Sequence, residues 1–385
     1  MSNLKYFFLL LVLSFSYASH ASITVGTCKS ASHSYETISA AISEAKSGEV
    51  IDVCPGTYAE QLVITKPLSI HGIGTVTLVF PPNGLRPITE KSGTYSQVFV
   101  NHPGGPVELS FISIQGGNRF KSPYEGDSHA IAGETLCLTA PFEDYSGVLS
   151  FWSPTVLDHV NVIDHSVAPT TGGTILSVRT PHCGGGIAYR GDGGIVRNSV
   201  VRGFGLYGIR GAEKVEHNVV SGAGGPHSVG ISASGDVSDN TVTGPGFVRL
   251  DTTGIQSGKS VRGNTVQAWA TGITGPMIRE NKLSDNETGV SKIGEATGNI
   301  ILASATYPNL ACAQPGAMCT DRLPGSNVPA ALPTVGVNLG CSGGASVRHN
   351  RIEGVGIGFA DVSGGSALAD NSLTGVGSAS TACSK

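Results

Sequence analysis

The feature that most constrains this chain is a short line that keeps returning: Val or Ile, two variable residues, Asn, one residue, then Val or Ile. It reads IVRNSV at Ile195–Val200, VEHNVV at Val215–Val220, VSDNTV at Val237–Val242 and VRGNTV at Val261–Val266. It continues as IRENKL at Ile278–Leu283 and ATGNII at Ala296–Ile301, then comes back as VRHNRI at Val347–Ile352 and LADNSL at Leu368–Leu373. From Asn198 to Asn299 the successive asparagines lie roughly 17 to 24 residues apart. A period in that range belongs to a solenoid, whose units cannot bury their apolar faces alone and therefore stack.

Each coil is expected to hold three strands, called here first, second and third. Residues before each Asn form the second strand and residues after it the third. Gly-Ile pairs (Gly186-Ile187, Gly208-Ile209, Gly230-Ile231, Gly254-Ile255, Gly272-Ile273) open the first strand of the following coil, and Gly289-Val290 continues the series. Side chains alternate along a strand, so the apolar positions point inward and stack from coil to coil. Upstream coils lack the Asn but keep the beat, as VELSFISI at Val107–Ile114 and VLDHVNVI at Val156–Ile163. The asparagines are expected to form an internal ladder at the bend between second and third strands, each amide bonding its own backbone and the next amide. An unpaired buried amide would be costly. On this reading Asn198 and its successors serve folding and not a binding surface.

A length of 385 residues would allow two or three globular domains, but the repeat argues for one elongated domain. Its 54 glycines and 14% charged residues suit many short strands joined by tight turns. A formal net charge of −4 argues against nucleic acid as a partner. Aromatics, at 6%, are thin for a surface that would grip sugars by stacking alone.

Residues 1–21 read as a secretory signal, with Lys5 in a short basic region, Phe7–Phe15 as the apolar core and Ser19-His20-Ala21 as the cleavage site. That apolar run is too short to span a bilayer. The mature chain, 22–385, is expected to be a secreted or periplasmic monomer with no membrane span. Eight cysteines fit an oxidising compartment. They allow 105 pairings; the expectation here is Cys28 with Cys54, and Cys312 with Cys319 or Cys341.

Within Ser34–Ala45 the apolar residues Ile38, Ala41, Ile42 and Ala45 have helical spacing, and Gly48 is a stop signal. A short helix in an N-terminal cap, 22–48, would cover the open end of a solenoid. The run TISAAISEAKSGEVIDVCPGTYAEQLVITKPLSIHGIG, Thr37–Gly74, resembles the opening of pectin lyase-like proteins. There a capping helix precedes a first coil written approximately as GxxIxVxPGxYxExxxIxKxLxIxGxG. Gly48, Val50, Val53, Pro55, Gly56, Tyr58, Glu60, Ile64, Lys66, Leu68, Ile70, Gly72 and Gly74 carry the match. The resemblance implies an all-β fold, a single right-handed parallel β-helix with a short N-terminal capping helix. It implies little about activity, because the superfamily holds lyases, hydrolases, esterases, epimerases and non-enzymes.

The resemblance also implies a substrate groove over the first strands, walled by loops, where acidic polysaccharides meet clustered Asp, Arg or Lys. Three stretches break the rhythm at about 115–147, 169–186 and 303–340, each between a third strand and the next first strand. The last reads as a loop. Outward residues of the first strands are expected to be Ala188 and Arg190, then Arg210, Ser232, Gln256, Thr274 and Ser291. With no carboxylate in that lane, neither a calcium-dependent pectate lyase nor a two-aspartate hydrolase is supported. Adjacent Asp-Asp, Gly-His-Gly, Arg-Ile-Lys and Asp-Pro-His-Asp are also missing. Val162-Ile163-Asp164-His165-Ser166 is similar to the WIDH line of pectate lyases, but without its Trp or a following Asp-rich segment; a turn Asp and a solvated His are the expectation.

The chemically richer region lies between Asn101 and Lys214. A lyase must neutralise a uronate carboxylate and remove the neighbouring proton. Arg190, Arg210 and His102 are the candidates for that work, with Arg179, His182, Asp127, His129 and Trp152 as candidate substrate contacts. Asp127 and His129 have no identifiable third ligand, so no metal site is expected, and no cofactor is named. Trp152 reads either as a sugar platform or as ordinary packing. Two classes fit. One is a carbohydrate-active protein that binds an acidic polysaccharide, with elimination as the reaction if it is an enzyme. The other is a non-catalytic surface or secreted binding protein using the solenoid as a rigid scaffold.

Overall fold

The second strands are triads whose middle residue faces inward. Ile195–Arg197, Lys214–Glu216, Asp236–Ser238, Ser260–Arg262 and Met277–Arg279 pair in parallel and in register. Their central Val196, Val215, Val237, Val261 and Ile278 are 0–1% exposed. Third strands repeat the device: Val200–Arg202, Val219–Ser221, Thr241–Thr243, Thr265–Gln267 and Lys282–Ser284 stack Val201, Val220, Val242, Val266 and Leu283 inside. The first strands Gly185–Tyr189, Tyr207–Arg210, Val229–Ala233, Thr253–Ser257, Thr271–Thr274 and Thr288–Ser291 add Ile187, Ile209, Ile231, Ile255, Ile273 and Val290. Each coil thus buries three aliphatic side chains, each contributing about 1.5–3 kcal/mol over exposure.

This is a computed structural model that describes residues 23–29, 33–88, 95–102, 104–116, 145–151, 154–165, 185–191, 193–222, 228–244, 252–308, 331–341 and 343–383. The first strands form one 12-stranded parallel sheet. Second and third strands join in a 24-stranded sheet because Ser69–Val79 and Val107–Gln115 run through both columns. The chain is a right-handed parallel β-helix, the stacked solenoid its repeat implied and the fold that the resemblance of Thr37–Gly74 implied.

The bend between second and third strands carries the amide ladder. Asn218, Asn240, Asn264, Asn281, Asn299, Asn350 and Asn371 succeed one another, each backbone N–H donating to the next Oδ1 at 2.9–3.0 Å. Each Nδ2 also reaches a carbonyl of the preceding coil, as Asn240 does to Val215 at 3.0 Å. One expectation needs correcting: Asn198 is not a rung. Val196 pairs with Val215, so Asn198 stands level with His217, and Ser199 holds the ladder position. Asn198 has φ 51°, matching His217 at 56°, Asp239 at 56° and Glu280 at 55°. Asn tolerates the left-handed conformation that this corner demands. Ser199 closes the ladder instead, its N–H donating to Asn218 Oδ1 at 2.9 Å and its hydroxyl accepting from Val160 N at 3.0 Å.

The glycines opening the first strands answer a different need. A Cβ on Gly230 would sit 2.6 Å from the Gly254 carbonyl oxygen and 2.6 Å from Val242 Cγ1. The same approach recurs from Gly186 to Gly336. Coils therefore meet backbone to backbone at this corner, where any side chain would pry them apart.

The N-terminal end is closed by α1, Ile38–Glu44, which is shorter than the spacing of Ser34–Ala45 predicts because His33–Tyr35 forms a strand first. Both ends of α1 are held by residues of the first-coil motif. Glu60 accepts from Ile38 N at 2.9 Å and Ser39 N at 2.8 Å, while Thr37 caps Ala40 N at 3.2 Å. Lys66 Nζ donates to the Ser43 and Ala45 carbonyls. These contacts place opposite charges at the two ends of the helix dipole. Ile38, Ala41 and Ile42 are buried against the first coil.

Cys28 pairs with Cys54, as expected. Cys341 pairs with Cys383 and not with Cys312, because the last strand, Ser378–Ala382, brings Cys383 beside the corner that follows Asn338. Cys312 and Cys319 lie outside the described residues, as does the proposed signal segment. The stretch read as a plain loop after Leu302 contains an antiparallel pair, Thr306–Pro308 with Ala331–Pro333. His165 also departs from expectation. It is fully buried, not solvated, with Nε2 3.0 Å from Gln97 Oε1. A Cβ on Gly147 would lie 3.0 Å from its ring, so that glycine leaves the room His165 occupies. Asp164 does take the turn, at φ 58°.

Candidate functional site

The parallel register fixes which first-strand residues share the outer face. One lane runs Phe99, Leu149, Ala188, Arg210, Ser232, Gln256, Thr274, Ser291, Asn338 and Ala360. A second lane, at the strand starts, runs Thr253, Thr271 and Thr288 between Val229 and Val335. Neither lane holds a carboxylate. Outward residues from Ala188 to Ser291 fall where alternation from the inward Ile positions predicts.

The face has two characters. At its N-terminal end Phe99, Leu149, Ala188 and Tyr207 form an apolar cluster only 1–5% exposed, with Ile88, Phe151 and Leu206 packed against it. From Ser232 onward the face is neutral and polar. Thr274 and Ser291 place their hydroxyl oxygens 3.2 Å apart across neighbouring coils.

Arg190 and Arg210 stand at the junction. Arg190 follows the strand Gly185–Tyr189, anchored by its N–H to the Ser150 carbonyl at 2.9 Å, and its guanidinium lies 5.6 Å from the Phe151 ring centroid. Arg210 ends its own strand with its guanidinium 5.6 Å from the Tyr207 ring. Both side chains are exposed. An aromatic face under each cation contributes about 0.5–1 kcal/mol and, more usefully, restricts where the charge points. His102 follows Asn101, which pairs with Phe151. Arg190 and Arg210 thus belong to adjacent coils, and His102 lies two coils before Arg190.

Arg179, His182, Asp127, His129 and Trp152 lie outside the described residues. Among the described residues no group of three or more His, Cys, Asp and Glu could hold a metal ion. Sequence reading missed the rings beneath the arginines. Tyr207 has the signal of an aromatic opening a first strand, whereas Phe151 becomes Arg190's neighbour only through coil register. It also missed Tyr307, on the hairpin beside the first-strand sheet. Burial, then the charge and hydrogen bond of Glu287, push the Tyr307 hydroxyl up to about 12.

Fold and register together define a right-handed parallel β-helix protein. No family model matches the sequence, and no curated protein matches it. Among solved structures the chain is similar to the Dettilon tailspike protein gp208, at 16% identity and a TM-score of 0.51, over 88% of this chain and 64% of the tailspike. The chain therefore spans less than two thirds of that protein's length. It is also similar to pectin methylesterase PemA from Erwinia chrysanthemi, at 10% identity and a TM-score of 0.40, over 67% of this chain and 81% of the other. A third is the A-module of mannuronan C-5 epimerase AlgE6 from Azotobacter vinelandii, at 14% identity and 0.40, over 89% and 90%. At these identities the likeness concerns the fold.

Proposed function

We propose that this chain is a secreted or periplasmic carbohydrate-active β-helix protein that binds an acidic polysaccharide along its first-strand face. The observation that carries this reading is the pair of aromatic-backed arginines, Arg190 and Arg210, in adjacent coils beside outward lanes that hold no carboxylate. A polyanion laid along that face meets positive charge at the two arginines, hydroxyls and amides beyond them, and no like charge from the lanes. Disulfides Cys28–Cys54 and Cys341–Cys383 support export to an oxidising compartment. No helix among the described residues is long and apolar enough to cross a membrane.

If the protein cleaves its ligand, elimination fits best. That reaction takes the proton α to a uronate carboxylate and expels the neighbouring glycosidic oxygen. Arg190 and Arg210 would neutralise the carboxylate, with His102 as the proton-transfer group and Arg179, His182, Asp127, His129 and Trp152 as further substrate contacts. The lanes' lack of a carboxylate favours a second reading, binding without cleavage on a rigid scaffold. The two separate on one experiment: incubation with a panel of polyuronates, followed by ultraviolet absorbance of the unsaturated product. Rising absorbance identifies a lyase. A flat trace with every member of the panel removes elimination and leaves binding.

A further inference from the structure

The far end of the first-strand face has a concavity of its own. A depression of about 650 Å³ opens where first strands turn into second strands, its lining including Gln256, Thr274, Lys292, Gly275, Gly294 and Gly340. None of its lining residues is acidic. Lys292 is exposed and has φ 51°. The same left-handed conformation recurs at Glu280, Asp285 and Asp361, so it belongs to the coil corners of this fold. The preceding coil places Gly275 at the same level, since Thr274 pairs with Ser291. Lys214, Lys259, Arg262 and Arg279 are all tied to carboxylates on or just after second strands. Among the described residues Lys292 has no such partner. The acidic residue in its own column, Asp361, is two coils further on, about 10 Å away.

We propose that this depression is a second anion subsite, which takes the carboxylate of a uronate unit on Lys292 while Gln256 and Thr274 hydrogen-bond the sugar hydroxyls. It rests on the reading of the first-strand face as the glycan-binding face. Arg210 and the Lys292 corner are four coil steps apart, about 19 Å. The ligand is then one extended chain that bears charge at both points and crosses the hydroxyl lanes between them.

The left-handed backbone supplies a test that separates binding from folding. K292G relaxes the backbone and removes the charge, K292Q removes the charge alone, and K292R keeps it. The probes are an oligogalacturonate long enough to span both points and its carboxyl-reduced counterpart, titrated calorimetrically. The expected result is a Kd weakened roughly tenfold in K292Q and K292G and retained in K292R. K292G should also unfold at no lower temperature than the wild type. The reduced oligomer should bind weakly to all four proteins. If R210Q weakens the oligogalacturonate but K292Q and K292G do not, the second subsite is wrong and the face survives. If the wild-type protein binds neither probe, both are overturned.

Discussion

At the scale of single residues, neighbouring asparagines in the same sequence line do opposite jobs. Asn240 accepts from Asn218, donates to Val215, Ser238 and Asn264, and is 1% exposed. Truncation to Ala leaves buried donors and acceptors on both adjoining coils unmet. N240A should cost on the order of 3 kcal/mol in denaturant unfolding. Asn198, on an exposed left-handed corner, should accept Gly for less than about 1 kcal/mol despite losing its bond to Asp158. The line V-x-x-N made the ladder legible in advance. It did not reveal that VRNSVV sets the first Asn one place early, since only pairing with the next coil shows that shift.

His165 offers a pH prediction at the same scale. Burial, partly offset by a hydrogen bond with Ile163, drives its imidazole from an ordinary 6.5 down to about 3. The unfolded chain therefore takes up a proton between those values and the folded chain does not. Stability from this group is fully present above about pH 6.5 and falls as the pH drops toward 3. Unfolding midpoints for wild type and H165Q should converge or cross as the pH is lowered through that window. A constant difference across it would contradict the assignment. Nothing in VIDHS distinguished a buried His from a solvated one, because the deciding neighbour, Gln97, is 68 residues away.

At the scale of elements, the capping helix and the glycine corner are the parts whose sequence signals translate most directly into physics. Helix spacing announced α1, and the Glu60 and Lys66 positions of the first-coil motif turn out to hold its two ends. E60A removes a charged acceptor from two first-turn N–H groups and should cost about 1–2 kcal/mol, seen as a lower thermal midpoint. E60Q should recover part of that loss by keeping an acceptor oxygen. Gly230 is less forgiving. Its substitution by Ala drives a methyl against the Gly254 carbonyl and Val242, so G230A should destabilise by about 1–3 kcal/mol, measured in denaturant. The candidate site was legible only in part. Alternation placed Arg210 and the polar lane, but the ring supports Phe151 and Tyr207 needed the register of stacked coils.

At the scale of the whole molecule, the solenoid brings residues distant in sequence onto one face at a spacing of about 4.8 Å per coil. That regularity turns a weak local signal, an arginine after a strand, into a directional surface: apolar and covered at one end, positive at Arg190 and Arg210, with uncharged lanes running on toward the Lys292 corner. The central claim is that this surface recognises an anionic glycan through those two charges. Calorimetric titration of the wild-type protein and the R190Q/R210Q variant with polygalacturonate, at low and at moderate salt, tests it most directly. The account predicts binding that weakens with salt and falls at least about tenfold in the variant, with an unchanged unfolding midpoint. Equal affinity in the two proteins, or equal binding of a carboxyl-reduced chain by the wild type, would contradict it.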